Sequence, residues 1–140
     1  MFIGKYYFKL QDKGRISLPK KFRQQSDQWI VTRGLDGCLF IFKADSFQQE
    51  ISKLANRSFT KQAHRDLVRI MTNEAVELTA DNNGRINLPD YLIDYAQLNK
   101  KLVVVGSYNR IEVWDQDHYH RYMNQLENQA EQIAETVNVD

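Results

Sequence analysis

The stretch Gly14-Arg15-Ile16-Ser17-Leu18-Pro19 returns seventy positions later as Gly84-Arg85-Ile86-Asn87-Leu88-Pro89. A 140-residue chain has been assembled by writing one unit twice. The match runs well beyond the hexapeptide. At the same offset Tyr6, Phe8 and Leu10 correspond to Val76, Leu78 and Ala80, and Phe22 and Ser26 to Leu92 and Ala96. After two inserted residues the correspondence resumes: Val31, Gly34, Leu39, Phe42, Asp45, Phe47, Ile51 and Leu54 meet Val103, Gly106, Ile111, Trp114, Asp117, Tyr119, Met123 and Leu126. Shared hydrophobic phase over such a length marks a duplicated supersecondary unit. Two units are too few for an open solenoid, so they are expected to pack as pseudo-symmetric partners.

Local patterns place the elements. Met1–Leu10 alternates, with Tyr6, Phe8 and Leu10 on one face and Lys5, Tyr7 and Lys9 on the other, as in a half-buried strand. Gln11-Asp12-Lys13-Gly14 is turn chemistry, with Gly14 free to take positive φ. Arg15–Leu18 alternates again, Ile16 and Leu18 inward, Arg15 and Ser17 outward. Pro19 suits the first position of a short helix reaching about Ser26, anchored by Phe22. Trp29–Thr32 and Cys38–Phe42 flank Gly34-Leu35-Asp36-Gly37 as a hairpin.

Asp45 or Ser46 caps a helix whose Phe47, Ile51 and Leu54 share a face. Thr60 caps a second helix carrying Ala63, Leu67, Ile70 and Met71, without a counterpart in the second copy, and this helix links the two. The second copy repeats strand (75–80), turn (81–84), strand (85–88), short helix (89–96) and hairpin (102–114). Its closing helix begins near Asp117, and Tyr119, Met123, Leu126, Ala130, Ile133, Ala134 and Val137 continue one stripe.

Composition narrows the class. A chain of this size with 42% hydrophobic residues can form one compact domain or two small halves. No run of eighteen apolar residues exists, so no membrane partner is expected. The start, Met1-Phe2-Ile3-Gly4-Lys5, lacks a basic-then-apolar signal pattern, and a cytoplasmic location is expected. The net charge of +1 hides a division: residues 1–70 hold 14 Lys+Arg against 6 Asp+Glu, residues 71–140 hold 5 against 12. One interpretation is two solvated surfaces of drifting composition. The other is a basic copy facing a polyanion such as DNA, and an acidic copy facing the basic copy of a neighbouring subunit.

Catalysis finds little support. His64, His118 and His120 are scattered, and the last two point to different faces of a helix. The single cysteine, Cys38, excludes an internal disulfide and any multi-cysteine zinc site, and reads as a small buried hydrophobe. No nucleophile elbow, phosphate loop or dinucleotide fingerprint occurs. The chain is expected not to be an enzyme and to need neither cofactor, metal nor small-molecule substrate.

The Gly-Arg turns admit two roles. Arg15 and Arg85 can bridge a nearby carboxylate, as Asp81 stands four residues before Arg85. They can equally touch phosphates or base edges, because the guanidinium fork serves two acceptors at once. Around Arg15 the second role leads, since Lys13, Lys20, Lys21 and Arg23 cluster there.

The doubled Asp/Gln-x-x-Gly-Arg-Ile-x-Leu-Pro run resembles the MraZ family of bacterial transcription regulators. So do Thr32-Arg33-Gly34-Leu35-Asp36-Gly37-Cys38-Leu39, Val104-Val105-Gly106 and Asn109-Arg110-Ile111-Glu112-Val113-Trp114; the resemblance covers about residues 1–125. It implies a mainly β fold with helices: two AbrB-like swapped-hairpin repeats in a pseudo-symmetric, double-psi-like β-barrel. The corresponding divisions are a first repeat over 1–55, a linking helix over 56–73, a second repeat over 74–125 and a helical extension over 126–140. It also implies a nucleoid-associated ring of subunits. That ring binds short direct repeats in double-stranded DNA upstream of the division and cell-wall gene cluster, usually as a repressor.

The family's Asp-x-x-x-Arg motif is met by Asp81 and Arg85, whereas copy one has Gln11 at the acidic position. Where copy one has Lys20, Lys21 and Arg23, copy two has Asp90, Tyr91 and Ile93, and an acidic residue repels phosphate. The expected DNA-binding residues are therefore Lys13, Arg15, Lys20, Lys21 and Arg23, with Arg85 included but weighted, like Asp81, Gly14 and Gly84, toward structure. Two rivals are a general antitoxin-like or nucleoid binder, which usually carries a single short unit, and a structural ring or protein-interaction module without specific DNA binding.

Overall fold

The computed structural model describes residues 1–138. Alternating segments become strands β1 (Phe2–Lys9), β2 (Arg15–Ser17), β3 (Gln28–Arg33) and β4 (Leu39–Lys43) in the first copy. The second copy supplies β5 (Val76–Thr79), β6 (Arg85–Asn87), β7 (Lys101–Tyr108) and β8 (Ile111–Asp115). Helices α1 (Lys20–Arg23), α2 (Ala44–Ala55) and α3 (Gln62–Asn73) belong to the first copy, and α4 (Asp90–Tyr95), α5 (Gln116–Glu127) and α6 (Ala130–Asn138) to the second.

The copies exchange strands. β1 pairs antiparallel with β7 of the second copy, and β5 with β3 of the first. The six-stranded sheet runs β1-β7-β8-β4-β3-β5, and β2 and β6 form a separate pair. Its centre is symmetric: Leu39 faces Val113 and Ile41 faces Ile111, so the pseudo-twofold axis passes at Phe40 and Glu112. The same axis crosses the small pair at Ile16 and Ile86.

One core therefore serves both copies. Ile16, Leu18 and Phe22 are buried with Ile86, Leu88 and Leu92 and with inward residues of β3, β4, β7 and β8. Phe22 meets the edges of Phe2 and Tyr6 at ring-centroid distances of 5.2 and 5.3 Å. A second cluster on the other sheet face joins Phe40, Phe42, Val103, Val105 and Trp114 under α2, α3 and α5.

Several expectations need correction. The closed double-psi-like barrel is not formed among the described residues: β1 and β5 remain edge strands, because β2 and β6 turn off at their glycines and pair with each other. The hairpin correspondence slips by one residue. Val31 faces Ile41 and Val104 faces Val113, so Val31 matches Val104, while Val103 lies in the other cluster. A one-residue shift moves a side chain to the opposite face of a strand. Its source is the loop. Gly34 N–H donates to the Cys38 carbonyl across three residues, and Ser107 N–H to the Arg110 carbonyl across two, so Gly34 matches Ser107 and not Gly106.

The closing helix is also not continuous. It breaks at Asn128 and Gln129, and α6 then follows α5 in chain order as α3 follows α2, so α3 has a counterpart in position. Residues 139–140 of the expected extension lie outside the described residues. Lys43 and Lys61, not Asp45, Ser46 or Thr60, occupy the N-cap positions of α2 and α3, and neither caps with its side chain. The short helix α1 ends at Arg23, and of the α3 stripe only Met71 is buried.

Because the core is shared, Phe22→Ala should cost about 3–5 kcal/mol in a denaturant titration. The chain should still unfold in one transition. Two separate steps would show that the copies fold independently.

Candidate nucleic-acid interface

The two Gly-Arg turns are built alike and locked onto each other. In the first, Gln11 N–H donates to the Arg15 carbonyl at 2.9 Å and Gly14 N–H to the Gln11 carbonyl at 3.2 Å. In the second, Asp81 N–H donates to the Arg85 carbonyl and Gly84 N–H to the Asp81 carbonyl, both at 2.9 Å. Gly14 and Gly84 have φ of +76° and +74°, a region costly for other residues. Each glycine carbonyl then crosses to the other copy: Leu18 N–H donates to Gly84 at 3.0 Å and Leu88 N–H to Gly14 at 2.8 Å.

Between these turns lies the β2–β6 ribbon. Ile16 and Ile86 point into the core, so Arg15, Ser17, Arg85 and Asn87 stand on the opposite face. Cross-strand pairing sets Arg15 opposite Asn87 and Arg85 opposite Ser17. Asn87 was not singled out from the sequence, although the repeat and the alternation of Arg85-Ile86-Asn87 give it the same facing as Arg85.

The two arginines differ. Arg85 Nε bonds Asp81 Oδ2 at 2.9 Å, and its Nη1 reaches Gln11 Oε1 at 3.3 Å. Asp81 Oδ1 also accepts the backbone N–H of Asn83 and of Arg85, each at 2.9 Å. These bonds, the Arg85 backbone amide first, hold the Asp81 carboxyl below its ordinary value. Gln11 Nε2 continues the chain to Ser17 Oγ at 3.3 Å. The glutamine at copy one's acidic position thus braces copy two's arginine. Arg15 has no side-chain hydrogen bond or ion pair among the described residues.

The remaining cations separate likewise. Lys13, at φ +65° on the turn, and Lys20 and Lys21, on α1, are exposed. Arg23 is half-buried; its Nη1 donates to the Asn83 carbonyl at 2.7 Å, and a Cβ on Gly84 would run into its side chain. The structure gives Arg23 the work of clamping the second turn, which charge clustering alone did not signal. Asp90 and Tyr91 are exposed at the places equivalent to Lys20 and Lys21, and Tyr91 donates to the Glu74 carbonyl at 2.9 Å.

Elsewhere, Cys38 is buried, its Sγ donates to the Leu35 carbonyl, and burial pushes its thiol far above the ordinary range. His120 stacks on Tyr7 with ring centroids 5.9 Å apart, and His118 lies against Gly37. Among the described residues no group of three or more His, Cys, Asp or Glu is placed to hold a metal ion, and no helix is long and apolar enough to cross a membrane.

Exchanged strands and paired Gly-Arg turns define a two-copy, mainly β protein with flanking helices and an antiparallel sheet. A family described as "MraZ protein, putative antitoxin-like" matches the chain twice, over residues 1–70 and 71–139. The chain belongs to the MraZ family, one of regulators and not of enzymes.

The Asp81 network should show in stability. Asp81→Ala and Arg85→Ala should each lower the thermal midpoint more than Lys13→Ala. The Asp81 carboxyl is depressed in the folded chain, so its contribution is complete above the ordinary value of 3.8 and vanishes as pH falls through the lower folded value. The gap between wild type and Asp81→Ala should therefore be constant near neutrality and close below about pH 4. A gap that does not begin to narrow as pH falls below the ordinary value of 3.8 would contradict the charged role of Asp81.

Proposed function

We propose that this chain is a sequence-specific DNA-binding transcription regulator that reads base edges with the β2–β6 ribbon. Following the family resemblance, its target is short direct repeats in the promoter of the division and cell-wall gene cluster, where it acts as a repressor. The observation that carries the proposal is the contrast between the arginines: Arg85 is bound into its turn, while Arg15, on the same face, has no side-chain hydrogen bond or ion pair among the described residues.

A two-stranded ribbon fits the major groove of B-DNA. Arginine can take O6 and N7 of guanine, and asparagine can take N6 and N7 of adenine. The Arg15–Asn87 pair offers both kinds of contact side by side. Lys13, Lys20 and Lys21 supply sequence-independent phosphate contacts at the copy-one end, and Asp90 disfavours them at the other. One such unit makes few contacts and binds weakly. Several subunits presenting the ribbon in one direction gain effective concentration on DNA repeats of matching spacing, about 100- to 10,000-fold.

The test is a binding titration on DNA fragments selected by the protein from random sequence. Arg15→Ala should lose about 5- to 150-fold in affinity and relax preference at one base position. Lys20→Ala and Lys21→Ala should weaken all sequences alike, each reducing the slope of log affinity against log salt by about 0.9. Unchanged affinity and unchanged slope in all three variants would reject the interface. No enrichment from random DNA would favour a structural ring instead.

A further inference from the structure

The corner where α2 gives way to α3 joins positive charge to an exposed aromatic ring, and the ribbon uses neither. From Lys53 to Arg69 a cation stands at every fourth position (Lys53, Arg57, Lys61, Arg65, Arg69), with Asp66 the one acid in that stretch. Lys53 pairs with Glu50 and Arg69 with Asp66, in both cases with side chains at least partly exposed. Exposed pairs of this kind contribute little, so these cations can turn to another anion at small cost. Arg57 and Lys61 are exposed and have no side-chain hydrogen bond or ion pair among the described residues.

Phe59 stands among these cations with its side chain 70% exposed. Its backbone is braced. Arg65 Nη1 donates to the Phe59 and Thr60 carbonyls at 3.0 and 2.9 Å, and Lys61 N–H donates to the Ser58 carbonyl at 2.9 Å. The ring is thus presented by a fixed loop. It borders a groove of about 250 Å³ whose apolar wall continues through Leu54, Ala55 and Val68. That volume falls below the roughly 300–1,000 Å³ of pockets for drug-sized ligands. It suits one flat ring system better than a row of side chains. The counterpart in copy two lacks both elements. Glu127, Glu131 and Glu135 follow at the same spacing, no Lys or Arg occurs from Tyr122 to Asn138, and no aromatic residue follows Tyr122.

We propose that the α2–α3 corner of the first copy binds single-stranded nucleic acid, with Phe59 stacked on a base and Arg57, Lys61 and Arg69 on the phosphates beside it. A single strand offers free base faces to an aromatic side chain, and stacking of this kind tolerates any base. In a duplex those faces are closed by stacking, so an exposed phenyl ring gains nothing from it. The corner also lies on the opposite sheet face from the ribbon. Ile16 and Ile86 belong to one core cluster, whereas Phe47, Ile51, Leu54 and Leu67 pack against the other. Occupancy of the corner is therefore separate from occupancy of the ribbon, and this inference does not rest on the ribbon reading DNA.

The experiment is a fluorescence anisotropy titration with labelled oligouridine and oligothymidine of about 12 residues. Binding of either supports the site, and the tighter of the two names RNA or DNA as its source. Phe59→Ala should lose about 5- to 150-fold in affinity with the salt slope unchanged, and Phe59→Trp should retain affinity. Arg57→Ala and Lys61→Ala should each reduce the slope of log affinity against log salt by about 0.7. All three residues are exposed, so thermal midpoints should stay at the wild-type value. The triple variant Arg15→Ala/Lys20→Ala/Lys21→Ala should still bind the single strands, and Phe59→Ala should still bind duplex selected by the wild-type protein, so failure of the ribbon and failure of the corner are told apart. No binding of either oligonucleotide, equal affinity of Phe59→Ala and wild type, or loss of single-strand binding in the ribbon variant would overturn the site. Displacement by polyglutamate as readily as by unlabelled oligonucleotide would overturn it too, and would assign the corner to acidic proteins.

Discussion

The fold depends on two backbone hydrogen bonds that cross its pseudo-twofold axis, from Leu18 to the Gly84 carbonyl and from Leu88 to the Gly14 carbonyl. They require each turn to place a carbonyl against the other copy, and positive φ at glycine makes that possible. A Cβ on Gly14 would approach the Leu88 carbonyl oxygen to 2.7 Å, closer than packing permits. Once the turns are locked, Ile16 and Ile86 are forced inward together and the ribbon's outer face is set. The exchange of β1 and β5 between copies follows the same symmetry, so core and candidate interface have one origin.

Symmetry of backbone does not carry over to chemistry. Both copies keep an arginine after the glycine, but the acidic residue survives only as Asp81. Its carboxylate holds the second turn from within. Gln11, uncharged, instead accepts from Arg85, and Arg15 has no side-chain hydrogen bond or ion pair among the described residues. With Asp81 in one turn and Gln11 in the other, two arginines at equivalent places become a brace and, among the described residues, an unpaired cation. The same division recurs at the next positions, where Lys20 and Lys21 stand against Asp90 and Tyr91.

The charge separation between the halves acts at two distances from the ribbon. Near it, the cations of copy one make one end of the face attractive to phosphate. Away from it, the four-residue spacing of acids on α6 and of bases along α2 and α3 gives two surfaces of opposite sign on one molecule.

The repeat, the alternation in each strand and the turn glycines were legible in the sequence because each is a local pattern with a fixed period. Facing of Arg15 and Arg85 followed from the same patterns. Pairing partners did not, since alternation says which face a residue takes but not which strand lies beside it. The exchange of β1 and β5, the open sheet in place of a closed barrel, and the one-residue slip that sets Val31 against Val104 are decided by long-range hydrogen bonding. So are the fates of Gln11 and Arg23, whose partners, Arg85 and Asn83, come from the other copy of the repeat. The sequence by itself determined two like units and their cations. Only the tertiary structure decided which cations are used up, because that depends on which acceptors the exchange brings within 3 Å or so of each guanidinium.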